Sequence, residues 1–424
     1  MRSIRVFDIL DLLSSQVLSV LQFRALGHPL FPNLKTLDWH FTPVTGEFIP
    51  FIPLFLSART TTIDFTFSGL DLHKATTASM IAAIPALCPN LRYVRLKGLA
   101  RDSMIAAAVS ELVTNTRQNT LEHFCVDSPL TEEACEVIYK HPDLCQLETV
   151  IDTPTALPTL ALPNLTDIDI KYYHGHDWLQ GFCGASLGKL AWVTISSESD
   201  SIGDVLAAFK SVALTTSIPA TLSTFSFATE RPWRPSYRSL LPFTQLKNLT
   251  IESSCKLGCS STIDDDTVTD LARAMPQLEI LELGDDPCET PTGITVNGLA
   301  ALAHYCPHLS ELRIHFQVAS LDPPELPGLA STGGSTTSRE DCALCSLCVG
   351  QIRVPAESML TVTLTLHHIF PHLEYIEHFD SNMEWDKVLE GLDTSKELAR
   401  RSSERCLFVV PRSITDNTSP RGYA

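Results

Sequence analysis

Four short stretches carry residue types that could do chemistry. GASLG, Gly184 to Gly188, has the G-x-S-x-G spacing of a nucleophile elbow, which would make Ser186 an acyl-transfer nucleophile. An elbow needs a strand before the serine and a helix after it, because that sharp turn lifts the hydroxyl clear of the sheet. Here the strand-like LAWVTI follows Ser186, so the pattern reads as a glycine-flanked turn into a strand. HGHDW, His174 to Trp178, offers two histidines and an aspartate, but Asp177 follows His176 directly and Trp178 occupies the next ligand position. A polar loop after TDIDIKYY is the simpler reading. CKLGC (Cys255, Cys259) and CALCSLC (Cys342, Cys345, Cys348) are half-sites for zinc, which needs two pairs able to wrap one ion. Cys345 and Cys348 lie along one strand-like run and cannot do so. The sequence holds no P-loop, dinucleotide fingerprint or H-E-x-x-H. The expectation is a protein that is not an enzyme, without cofactor or metal; a serine hydrolase using Ser186 is the alternative, and it requires a His and an Asp nearby.

The elements that must position any functional residue come from a recurring phrase. CPNLRYVRL, MPQLEILEL and CPHLSELRI share the pattern L-x-x-L-x-L, with Pro two residues ahead of the first leucine. Copies anchor at Leu34, Thr60, Leu91, Leu121, Leu147, Leu165, Leu190, Leu222, Leu246, Leu278, Leu309, Leu344 and Leu373. Their spacing runs from 18 to 35 residues, around that of a leucine-rich repeat. The final x-L-x-L alternates at period two and reads as a strand with one buried face: Leu281 and Leu283 in, Ile280 and Glu282 out. Segments with helical spacing lie between, as in TIDDDTVTDLARAM, where Val268, Leu271, Ala272 and Met275 share a face behind an acidic first turn. One strand and one helix cannot bury their apolar faces alone, whereas stacked units can.

The expected fold is therefore α/β: a leucine-rich-repeat solenoid of about 13 repeats over residues 1–392, with a curved parallel sheet on the concave face and helices on the convex face. Residues 320–341, rich in Pro, Gly, Ser and Thr, read as a loop excursion, and 393–424 as a flexible tail.

The chain has 424 residues, of which 44% are hydrophobic and only 19% charged, with a formal net charge of −18. That acidity opposes binding to nucleic acid or an anionic membrane, where phosphates must be met by clustered Lys and Arg. FIPFIPLFLSA is too short and too rich in proline to span a bilayer. Thirteen scattered cysteines, an odd number and several within apolar runs, read as buried thiols of a cytoplasmic or nuclear protein.

In such a solenoid the residues between the inward leucines line the concave face. There Tyr93, His123, Ile151 and Trp192 are aromatic, amphipathic or apolar where solvent is expected. Arg92, Arg95 and Lys97 beside them form the densest basic cluster of an acidic chain. Tyr, Trp and Arg dominate interface hot spots. These seven residues are the candidate binding site, with a protein partner or acidic peptide as the expected ligand.

ITVNGLAALAHYCPHLSELRIHF resembles the cysteine-containing leucine-rich repeat, matching through Gly298, Leu299, Leu302, Cys306, Pro307, Leu309, Leu312 and Ile314. IPALCPNLRYVRL matches through Cys88, Pro89, Leu91, Val94 and Leu96. This repeat subtype is similar to that of the F-box/leucine-rich-repeat proteins, over about residues 20–392. The resemblance implies the substrate-recognition part of a ubiquitin-ligase receptor. It also implies an F-box ahead of the repeats, which the stretch before Leu34 is too short to supply. The adaptor of a cullin-based ligase is a partner only if an F-box is missing from the chain as given. A non-ligase scaffold is the other reading.

Overall fold

A computed structural model describes residues 3–5, 15–25, 28–42, 45–69, 73–99, 101–116, 120–152, 162–173, 187–197, 220–229, 237–253, 263–284, 293–317, 342–350, 354–378 and 383–406. Fourteen strands form one sheet in strict sequence order, every neighbouring pair parallel. They are β1 (Ser3–Arg5), β2 (Thr36–Phe41), β3 (Thr62–Phe67), β4 (Tyr93–Lys97), β5 (His123–Pro129), β6 (Gln146–Ile151) and β7 (Asp167–Tyr172). The remainder are β8 (Trp192–Ser197), β9 (Thr224–Thr229), β10 (Asn248–Ser253), β11 (Ile280–Leu283), β12 (Glu311–Ile314), β13 (Ser346–Gly350) and β14 (Tyr375–His378). A parallel sheet in sequence order forces every connection to return over the same side, and that is the α/β solenoid of leucine-rich-repeat type.

One backbone arrangement recurs at every junction from β2 to β14. The N–H groups of Thr61 and Thr62 both donate to Lys35 O, at 2.9 and 3.0 Å. Those of Arg92 and Tyr93 both donate to Thr61 O, and those of Glu122 and His123 to Arg92 O. The chain of shared carbonyls continues through Glu122, Cys145, Thr166, Ala191, Ser223, Lys247, Glu279, Ser310 and Cys345, with all distances between 2.6 and 3.2 Å. A carbonyl oxygen has two lone pairs, so each accepts both donors without a loss.

Each sharing residue sits just after the anchor of its repeat, and every anchor is at most 1% exposed. Thr60, an anchor that is not leucine, is 0% exposed. Its hydroxyl donates to Leu34 O at 3.2 Å and accepts from Ser57 N at 3.1 Å, which removes the penalty of burying it. The inward residues of the strands, among them Leu281 (1% exposed) and Leu283 (2%), join one continuous core. The helix Asp265–Ala274 buries Val268, Leu271 and Ala272, with Met275 at its C-cap, as the periodicity predicts. The helices Lys74–Leu87, Val296–Tyr305 and Met359–Ile369 fall on KATTASMIAAIPAL, GITVNGLAALAHY and VPAESMLTVTLTLHHIF, where the same spacing predicts helix.

Four expectations need correction. The stretch before Leu34, which reads in sequence as the first repeat's own helix, supplies β1 as well as a separate helix, Ser15–Ala25. A helix does not follow every strand, because Pro50 and Pro53 withhold backbone donors and hold Gly46–Leu54 in a 3₁₀ conformation. The boundary at residue 393 falls inside the helix Met383–Cys406, which docks through buried Trp385, Val388 and Leu392. The fifth anchor is Leu144, not Leu147, since Cys145 and Gln146 are the residues that donate to Glu122 O. The 320–341 excursion and residues 407–424 lie outside the described residues.

Leu281→Asp will place an unpaired carboxylate in the core and cost at least about 3 kcal/mol. Glu282→Ala on the same strand loses only a long, half-buried pairing with Arg313 at 4.0 Å and a bond from Thr250, so it will cost about 1 kcal/mol or less. Chemical denaturation of the two variants measures the difference; equal losses would contradict this strand orientation.

Candidate recognition face

The side chains that alternate with the core leucines stand on the opposite face of the sheet. Register places Tyr93, His123, Gln146, Asp167, Trp192 and Thr224 in one row. Asp64, Arg95, Cys125, Glu148, Asp169 and Thr194 form the next row. Six of the seven predicted site residues are on this face or at its edge.

Ile151 is not. The three-residue slip at the fifth repeat put it in the outward row, whereas it is 3% exposed, within the core, opposite Tyr172. Thr149, two residues earlier and so turned outward by the same slip, is 1% exposed. Gln146 and Glu148 take their places. The signal was available: HPDL, His141 to Leu144, repeats the Pro-x-Leu of CPNL and CPHL, and it makes Leu144 the anchor.

The aromatic groups are held in place by neighbours. Tyr93 and His123 have ring centroids 5.4 Å apart, and His123 Nδ1 donates to Gln146 Oε1 at 3.1 Å. Trp192 is 49% exposed, an unusual state for a residue that prefers burial. Its Nε1 donates to Thr194 Oγ1 at 3.0 Å, so the indole lies along its own strand.

The basic side chains are already engaged. Arg92 pairs with Glu122 at 3.3 Å and Arg95 with Asp64 at 3.6 Å. Lys97 Nζ contacts Glu148 Oε1, and Lys171 Nζ lies 3.7 Å from the same oxygen. An acidic ligand would have to displace carboxylates already in place. The Arg92 and Arg95 pairs are well solvated and weak as stabilising contacts.

Burial shapes the titration of this face. It pushes the Asp64 carboxyl upward against the pull of Arg95. It pushes the Cys125 thiol up to about 11, which keeps the thiol protonated and poorly nucleophilic. Asp169 is raised to about 6, first by burial and then by the negative charge of Glu148, with Lys171 and Lys97 opposing. Asp169 Oδ1 has no hydrogen-bond partner among the described residues.

Ser186, the HGHDW histidines and the CKLGC cysteines lie outside the described residues. Strand β8 does follow Ser186, contrary to the order an elbow needs. Cys348 stands in the ladder between Arg313 and Glu377, and Cys345 Sγ donates to Ser310 O at 3.4 Å. Among the described residues no group of three or more His, Cys, Asp or Glu is placed to hold a metal ion, and no helix is long and apolar enough to cross a membrane.

The face and the stack define the class: a parallel α/β solenoid of leucine-rich-repeat type. No protein-family model matches the chain, and no curated protein matches it in sequence.

Because the Asp169 carboxyl has a higher pKa when folded than when unfolded, its contribution to stability is present in acid and is lost as pH rises through about 6. Asp169→Asn will therefore stabilise the protein at pH 7.5 by about 1–2 kcal/mol, and by less at pH 5. Denaturant unfolding at both pH values checks this; a variant no more stable at pH 7.5 would contradict it.

Proposed function

We propose that this protein is a non-catalytic recognition module that holds a segment of a protein partner on the open sheet face of β3–β8. The observation that carries the reading is Trp192: a large indole, half exposed and fixed by Thr194, on the open face of the sheet. Exposed aromatics on rigid elements supply contact area at little entropic cost on binding. Following the resemblance of the Cys-Pro repeats, the bound partner is a substrate presented for ubiquitin transfer. The described cysteines are free thiols, which supports a cytoplasmic or nuclear setting.

A photo-crosslinking residue at Thr194 will capture a partner in cells, while one at exposed Leu364, on the helix Met359–Ile369 of the opposite side, will not. Capture only from position 364 would contradict the proposed face. Depleting the protein should lengthen the half-life of the captured partner; an unchanged half-life would favour a scaffold without a ligase role.

A further inference from the structure

The concave face is not electrically what its arginines suggest. Glu148 receives both nearby lysines, Lys97 and Lys171. Asp167 and Asp169, on the adjoining strand, are left without an ion-pair partner among the described residues. Among the described residues Asp167 accepts from the hydroxyl of Thr166, and Asp169 Oδ1 accepts from none. Both carboxylates neighbour strand β8: Asp167 is in register with Trp192, and Asp169 with Thr194. The indole, tied from Trp192 to Thr194, therefore flanks both.

We infer that β7 and β8 form a docking surface for a basic protein segment, with an Arg or Lys of the partner seated between Trp192 and the carboxylates of Asp167 and Asp169. This rests on the recognition reading above and specifies the partner's chemistry. Charge complementarity is what selects the occupant. A guanidinium or ammonium gains from the π face of an indole and from a carboxylate at the same time. It would also add to the opposing charge of Lys171 and Lys97, which leaves the Asp169 carboxyl raised, and so relieve the cost of ionising that buried carboxyl. Phosphate-bearing partners are repelled by the same two groups. A chain of net charge −18 further speeds the approach of a basic segment.

The test uses the full chain and a displayed library of random 12-residue peptides, without bias in charge. Selected peptides should carry net positive charge and quench the fluorescence of the wild type but not of Trp192→Phe. Their affinity should fall at least tenfold for Asp167→Asn/Asp169→Asn, and it should also fall as salt is raised. Loss of affinity through unfolding is separated by the melting curve of the double variant, which must match or exceed the wild type. Enrichment of acidic or uncharged peptides that still require Trp192 would overturn the inference while leaving the recognition reading in place. Peptides indifferent to Trp192, or none enriched, would overturn both.

Discussion

One carbonyl oxygen per repeat, shared by two successive N–H groups of the next repeat, fixes the rest of the structure. The arrangement runs without a break from Lys35 to Cys345, at every junction between β2 and β14. It satisfies the backbone where each strand begins, a place where an unpaired donor would be costly. It also leaves no freedom of register: the residue before the shared carbonyl must be the buried anchor, and the side chains after it must alternate. A slip by an odd number of residues would turn a leucine out of the core and a charge into it.

What the rail does not fix is the connection that returns behind the sheet. There the chain uses α-helix where the 3.6 periodicity is clean, as in Asp265–Ala274, and a 3₁₀ segment where Pro50 and Pro53 interrupt it. Side chains knit the connections together instead. Asp265 accepts from Thr295 N at 2.7 Å, Thr295 Oγ1 at 2.6 Å and Gly298 N at 3.0 Å, so one repeat caps the helix of the next. Gly98, at φ +70°, turns so tightly after β4 that a Cβ there would lie 1.8 Å from Phe67 O.

The sequence carried the stack because leucine spacing is a local signal that the core reads directly. Even Thr60, the least leucine-like anchor, is where the spacing put it. At the fifth repeat, Leu144 and Leu147 both fit the pattern, and only the preceding His-Pro separates them. Choosing Leu147 placed Ile151 on the surface and hid Glu148. That slip mattered for the site, since Glu148 is the group that neutralises Lys97 and Lys171. The pairing of Arg95 with Asp64, 31 residues earlier in the chain, depends on side-chain reach across strands and has no local signature. A basic cluster in sequence thus became a neutral one in space, and the unpaired charge moved to Asp167 and Asp169.

The recognition face depends on the register of β5 against β6, where Cys125 lies opposite Glu148. Strands in a sheet are about 4.8 Å apart, within the range of Cα separations a disulfide bridges. Glu148→Cys should therefore form a disulfide with the native Cys125 on prolonged oxidation at alkaline pH, which offsets the raised pKa of that thiol, seen as a linked peptide by mass spectrometry without reduction. Ile151→Cys should not, because its side chain points into the core three residues farther along. A link to Cys125 in the Ile151→Cys variant, together with none in the Glu148→Cys variant, would contradict the register and with it the composition of the face.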